Sequence, residues 1–147
     1  VGDSAWSYAV GKISPEKERL MKVTEESLWA GIDKMRAGNV LDDISGAIEG
    51  VANREKMGIV RNYGGHGVGH VMHEDPFLFN YRVGNMTKIK TGYVIAIEPM
   101  LNLGCDEVEV QADNWGVVTK DKQPSAHFEH TVWCSEDGPV PMTTLMK

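Results

Sequence analysis

The apolar positions of the first third of the chain fall into two helical rows. Leu28, Ile32 and Met35 recur three and four residues apart, the spacing that puts side chains on one face of a helix. Ser14-Pro15-Glu16 marks where this helix starts: a capping hydroxyl, proline at the first helical position, then a carboxylate at the positive end of the dipole. Gly38 reads as its C-cap. Leu41, Ile44, Ile48 and Val51 form a second row, predicting a helix that stops at Gly58. From there the pattern turns extended. The spacing predicts a short strand over 59–62, a glycine-rich stretch over 64–69, and a strand buried on both faces over the apolar run 93–97. Further strands are expected over 108–110, 116–119 and 128–134, separated by turn residues such as Asp113-Asn114 and Asp137-Gly138. Two helices followed by a run of strands predict an α+β architecture, an antiparallel sheet covered on one face by helices. There is no internal repeat and no low-complexity segment.

Composition adds limits rather than content. The 147 residues, 41% of them hydrophobic, suffice for one domain with a real core. A formal net charge of −6 leaves no basic stripe to neutralise phosphates, which argues against direct nucleic-acid binding. No apolar run reaches the ~20 residues that span a bilayer, so no membrane partner is expected. Two cysteines, Cys105 and Cys134, are too few for a disulfide framework and point to a reducing cytoplasm. The chain opens on Val1-Gly2-Asp3-Ser4 with no initiator methionine, which reads as processing or as a piece of a longer protein.

The candidate chemistry is concentrated in the second half. All five histidines lie there, three of them in the segment from Gly64 to Pro76: His66, His70 and His73. Histidines four apart can present two ligands from a helix, but the glycines at 64, 65, 67 and 69 each cost about 1 kcal/mol in a helix. The glutamate that a zincin motif needs directly after its first histidine is also missing. A strand or tight loop fits better, and its alternation puts His66 and His70 on one face with His73 on the other. A lone histidine in such a turn is most often a satisfied structural residue. Three within eight residues, beside glycines, bring the structural and functional readings level.

Glu98 shifts the balance. It ends the apolar run 94–97 and precedes Pro99, and a carboxylate at the end of a buried strand is costly unless something positive compensates it. A salt bridge is the plain explanation. Glu129 repeats the feature between Phe128 and His130. Two such carboxylates with an imidazole form a set suited to a divalent first-row ion such as Mn, Fe, Co or Zn. The glycine-rich segment lacks the lysine and hydroxyl residue of a phosphate loop, and no Gly-x-Ser-x-Gly elbow is present.

Taken in order, Gly65-His66-Gly67-Val68-Gly69, Met72-His73-Glu74-Asp75-Pro76, Ile97-Glu98-Pro99-Met100 and Ser125-Ala126-His127-Phe128-Glu129-His130-Thr131 resemble the motifs of type I methionine aminopeptidases. Asn114-Trp115 before Thr119-Lys120-Asp121, and the opening Gly2-Asp3-Ser4, resemble two further segments of that family, so the likeness runs along the whole chain. The resemblance implies a pita-bread (creatinase/aminopeptidase-like) fold and a metal-dependent aminopeptidase that removes initiator methionine from nascent proteins in the cytoplasm. It implies that residues 1–147 form a single catalytic domain, incomplete at its N-terminus.

By the same resemblance Asp3, His66, Glu98 and Glu129 are metal ligands, Asp3 and Glu129 bridging two ions. His73 supports the tetrahedral intermediate, Glu98 also shuttles a proton, and Trp115 and Met72 line the methionine pocket with His73. The family's complete site holds two ions; with an upstream aspartate outside this chain, one is expected here. His127 stands where the family frequently has glutamine. The implied partners are a peptide or nascent-protein N-terminus near the ribosome, and the missing N-terminal half or a second copy. A proline-selective or creatine-processing relative, or a non-catalytic domain used as a binding module, are the alternatives. The latter is expected to have lost ligands that are present here.

Overall fold

The computed structural model describes residues 1–144. A two-residue strand, β1 (Ser4–Ala5), precedes helices α1 (Pro15–Lys34) and α2 (Leu41–Arg54). Ten strands follow among the described residues: β2 (Gly58–Ile59), β3 (Gly65–Gly67), β4 (Glu74–Leu78), β5 (Val94–Ile97), β6 (Met100–Asn102), β7 (Val108–Val110), β8 (Val117–Thr119), β9 (Ser125–His127), β10 (Glu129–Ser135) and β11 (Gly138–Pro141). The main sheet runs β1-β10-β5-β3-β4, with β11 on the free side of β10, and each pairing is antiparallel. A smaller sheet has the order β2-β6-β9, and β7-β8 is a separate hairpin.

Both helices form where the apolar periodicity predicts them. The carbonyl of Ser14 accepts the Glu18 N–H, although the Ser14 side chain makes no capping bond. The ends differ from the sequence reading. The first helix stops at Lys34, four residues before Gly38, and the second at Arg54, four before Gly58. Lys56, with φ of 55°, makes the left-handed exit that the sequence reading gave to glycine. The strand expected over 59–62 is only Gly58–Ile59, and that over 128–134 starts at Glu129. The helices cross closely at Gly31, where a Cβ would stand 3.0 Å from Ile48 Cγ1. Their buried faces, including Leu28, Ile32, Ile44 and Ile48, share one core with Ile95 and Ile97 of β5 and Val132 and Cys134 of β10.

Strand alternation then decides what the opposite face carries. His130 pairs with Ile97 and Val132 with Ile95, so these residues face the helices. Thr131, Ala96 and His66 are mutually aligned one step over and therefore point the other way. Asp3, adjacent to Ser4 of β1, also falls on that second face, and its N–H donates to Thr131 Oγ1 at 2.8 Å. The glycines of β3 let the strands close up here, since a Cβ at Gly65 would collide with the Ala96 carbonyl oxygen.

Away from this face, one buried carboxylate organises the loop after β4. Asp42, in the first turn of α2 and 6% exposed, accepts the backbone N–H groups of Val83, Gly84 and Asn85 at 2.9, 3.1 and 3.4 Å. Arg82 adds a 3.3 Å ion pair. Burial pushes the Asp42 carboxyl up, but the N–H groups and Arg82 outweigh it and the balance lies below the ordinary value. The stability it provides is therefore present at neutral pH and lost as pH falls through the depressed folded value. Asp42→Ala is expected to cost about 3 kcal/mol, since it strands three backbone donors. Urea denaturation at pH 7 checks this, and a loss under about 0.5 kcal/mol, the size of an ordinary surface substitution, would contradict it.

Candidate metal centre

Two strands that change sheets deliver the acidic side chains. β5 leaves the main sheet at Glu98-Pro99 and continues as β6 of the small one; β9 of the small sheet crosses at Phe128 and continues as β10. Met100 pairs with His127 in one sheet and Ile97 with His130 in the other. Glu98 sits at the first crossing, and Glu129 opens β10 directly after the second, so their side chains can converge.

They converge with Asp3 and His66. His66 Nε2 lies 3.4 Å from Glu98 Oε1 and 3.7 Å from Asp3 Oδ2. Its Nδ1 is 2.9 Å from its neighbour's carbonyl, Gly67 O, a contact that places the proton on Nδ1 and turns the Nε2 lone pair toward the carboxylates. Ligand atoms of His66, Glu98 and Glu129 all lie within 4.8 Å of one another, and so do those of Asp3, His66 and His73. Atoms bound at ~2.1 Å to one ion stand roughly 3 to 4 Å apart, so these separations suit a coordinated cation better than direct hydrogen bonds.

The salt-bridge explanation for Glu98 does not hold. Among the described residues, the ion-pair neighbours of Asp3, Glu98 and Glu129 are histidines, with no Lys or Arg. Glu129 is 4% exposed and its Oε1 has no hydrogen-bond partner. Burial, then the charges of Glu98 and Asp3, push its carboxyl up to about 8. An orphaned buried oxygen inside a cluster of carboxylates is a position that a divalent cation fits, and the oxygens with one imidazole suit Mn, Fe, Co or Zn.

The histidines divide differently from the alternation expected over 66–73. The β3–β4 register shifts between His66 and Gly67, and β3 ends there. The chain then turns, so His70 is exposed and His73 folds back onto His66 with ring centroids 4.2 Å apart. His66 and His73 are thus the pair that meets, correcting the grouping of His66 with His70. His130 is a core residue, stacked near Trp6 and Trp29 with its ring lowered in basicity by burial.

A cavity of about 810 Å³ opens beside the carboxylates, lined among others by Tyr63, Glu98, Met100, Ser125 and His127. A second, of about 530 Å³, lies on the far side of Glu98 against His66, His73 and Phe77. Trp115, 87% exposed in the β7–β8 turn, and Met72, 47% exposed in the loop before β4, line neither. His127 was visible in the sequence only as a departure. The signal for it is its position two residues before Glu129, and the structure sets His127 Nε2 3.9 Å from Glu129 Oε2.

The profile of metallopeptidase family M24 matches residues 1–136. The chain belongs to this family. Methionine aminopeptidase 1 of Bacillus subtilis is 48% identical over 138 residues, covering 93% of this chain and 56% of that protein. The methionine aminopeptidase of Clostridium acetobutylicum is 45% identical over 143 residues, covering 97% and 57%. The crystal structure of the Rickettsia prowazekii methionine aminopeptidase superposes with a TM-score of 0.94 at 38% identity, covering 97% of this chain and 58% of that one. The pita-bread architecture expected from the motifs is the one observed. The chain spans a little over half the length of these relatives. Membership of a metallopeptidase family implies use of a divalent metal.

Proposed function

We propose that residues 1–147 carry the metal centre of an aminopeptidase that removes methionine from the N-termini of peptides and newly made proteins in the cytoplasm. The observation that carries this reading is that His66 joins two ligand groups, one with Glu98 and Glu129 and one with Asp3 and His73, while the buried Glu129 Oε1 has no partner. The relatives' names, methionine aminopeptidase at 45 and 48% identity, support the choice of substrate. A prolidase of Pyrococcus horikoshii shares the fold at 19% identity with a TM-score of 0.77, a likeness of fold alone. A non-catalytic binding module has no need to keep four ligands.

In this reading Asp3, His66, Glu98 and Glu129 would hold the metal. When bound, the ion supplies Lewis acidity toward the scissile carbonyl and a nucleophilic water near neutral pH. Glu98, at the edge of both cavities, takes the proton from the attacking water on a carboxylate oxygen and returns it to the leaving amine. His73, exposed beside His66, donates a hydrogen bond to the oxygen that gains charge at the substrate carbon. The methionine side chain would lie in the larger cavity beside Glu98, against Tyr63 and Met100; the pocket roles expected of Met72 and Trp115 have no cavity contact to support them. The N-terminus of a nascent chain at the ribosome is the proposed substrate, and the proposed partner is the further part of the fold or a second copy.

Hydrolysis of Met-Ala-Ser against Ala-Ala-Ser and a proline-containing analogue, with Mn2+ or Co2+ and the whole protein, tests the assignment. Methionine-selective, chelator-sensitive cleavage is expected, and selectivity for the proline peptide would overturn it. His73→Ala in that protein is expected to lower kcat/KM by about 100-fold with metal affinity retained, because its contact matters in the transition state. Release of the metal by that variant would make His73 a ligand instead.

A further inference from the structure

His127 is the buried donor near the carboxylates that neither the ligand set nor the proposed mechanism uses. Its Nε2 is fully buried and has no hydrogen-bond partner, although the rest of the ring reaches the larger cavity. Leaving a buried donor unsatisfied is expensive unless a nearby acceptor takes it up. The acceptors within reach are Glu98 Oε2 at 3.5 Å and Glu129 Oε2 at 3.9 Å. The residue is also held in place. The Ser7 hydroxyl donates to the His127 carbonyl at 2.9 Å and accepts its N–H at 3.3 Å, and β9 pairs His127 with Met100, two residues beyond Glu98. Glu98 therefore lies between two imidazoles, Oε1 toward His66 and Oε2 toward His127.

We propose that His127 is a positioning residue: its Nε2–H holds Glu98 Oε2 from the side opposite His66, leaving Oε1 turned to the ion. This rests on the proposed metal centre. The 3.5 Å gap is longer than a made hydrogen bond, and a small rotation of either side chain closes it. A carboxylate oriented this way presents one oxygen to the cation at no cost in rotamer search, and partners of this kind raise metal affinity by about 10- to 100-fold.

Calorimetric titration of the chain with Mn2+, and the visible spectrum of its Co2+ form, test this with no reference to turnover. His127→Ala is expected to weaken Mn2+ binding by about 10- to 100-fold. His127→Gln, whose amide donates at similar reach, stays near the unsubstituted protein with unchanged Co2+ bands. If the alanine variant melts early without metal, His127→Asn, an amide too short to reach, replaces it and is expected to lose affinity likewise. Affinity unaffected by removal of the donor overturns the proposal. Loss in the glutamine variant as large as in alanine, with shifted Co2+ bands, also overturns it by making His127 a ligand. No binding by the unsubstituted chain ends the metal reading itself, and this one with it.

Discussion

His66→Ala is expected to weaken Mn2+ or Co2+ binding by about 100-fold or more, beyond what loss of a supporting partner does. The dominant calorimetric site should disappear. His66 is the buried imidazole of the cluster, 5% exposed, held by Gly67 O with its Nε2 between Asp3 and Glu98. Without it the three carboxylates lose the one imidazole that faces both Asp3 and Glu98, and their mutual repulsion is undiminished. Circular dichroism of the metal-free variant checks that the fold persists, as expected for a side chain facing away from the helical core. Unchanged affinity in a folded variant would remove His66 from the centre.

The second large effect is in the stability of the metal-free protein against pH. Glu129 is pushed up to about 8, first by burial and then by Glu98 and Asp3. Unfolded, the same carboxyl has its ordinary value of 4.5. Between those values the folded state binds the proton that the unfolded state has lost, so stability falls as pH rises across this window. Melting temperature of the metal-free chain is expected to drop from pH 5 toward pH 8.5. Glu129→Gln, which cannot ionise, should flatten the trend and raise stability at pH 8.5. A divalent ion reverses the sign: binding displaces the proton, so the calorimetric enthalpy should vary with the ionisation enthalpy of the buffer. A pH-independent melting temperature in the chelated protein would contradict the burial of an unpaired carboxyl.

Much of this was legible in the chain. The 3.6-residue spacing of Leu28, Ile32, Ile44 and Ile48 found both helices, and the apolar run ending at Glu98 found the central strand with its terminal carboxylate. What the pattern could not locate were irregularities. The helices end at Lys34 and Arg54, the second through a left-handed turn at Lys56, and neither at the nearest glycine. A register shift after His66 cancelled the alternation that would have grouped it with His70, because period-two arguments hold only while the ladder is regular. Asp3 was reached only through resemblance, since two residues at an edge strand carry no periodicity of their own. Glu98 and Glu129 were each visible as a strand-end carboxylate. Their meeting depends on two strands changing sheets side by side, a long-range fact with no local signal.

The central claim is that Asp3, His66, Glu98 and Glu129 hold a divalent ion. Anomalous diffraction from crystals of the chain soaked in Mn2+, recorded on either side of the manganese edge, tests it most directly. The account predicts a peak about 2.1 Å from His66 Nε2 and from oxygens of the three carboxylates. A peak elsewhere, or none among these residues at saturating Mn2+, would contradict it.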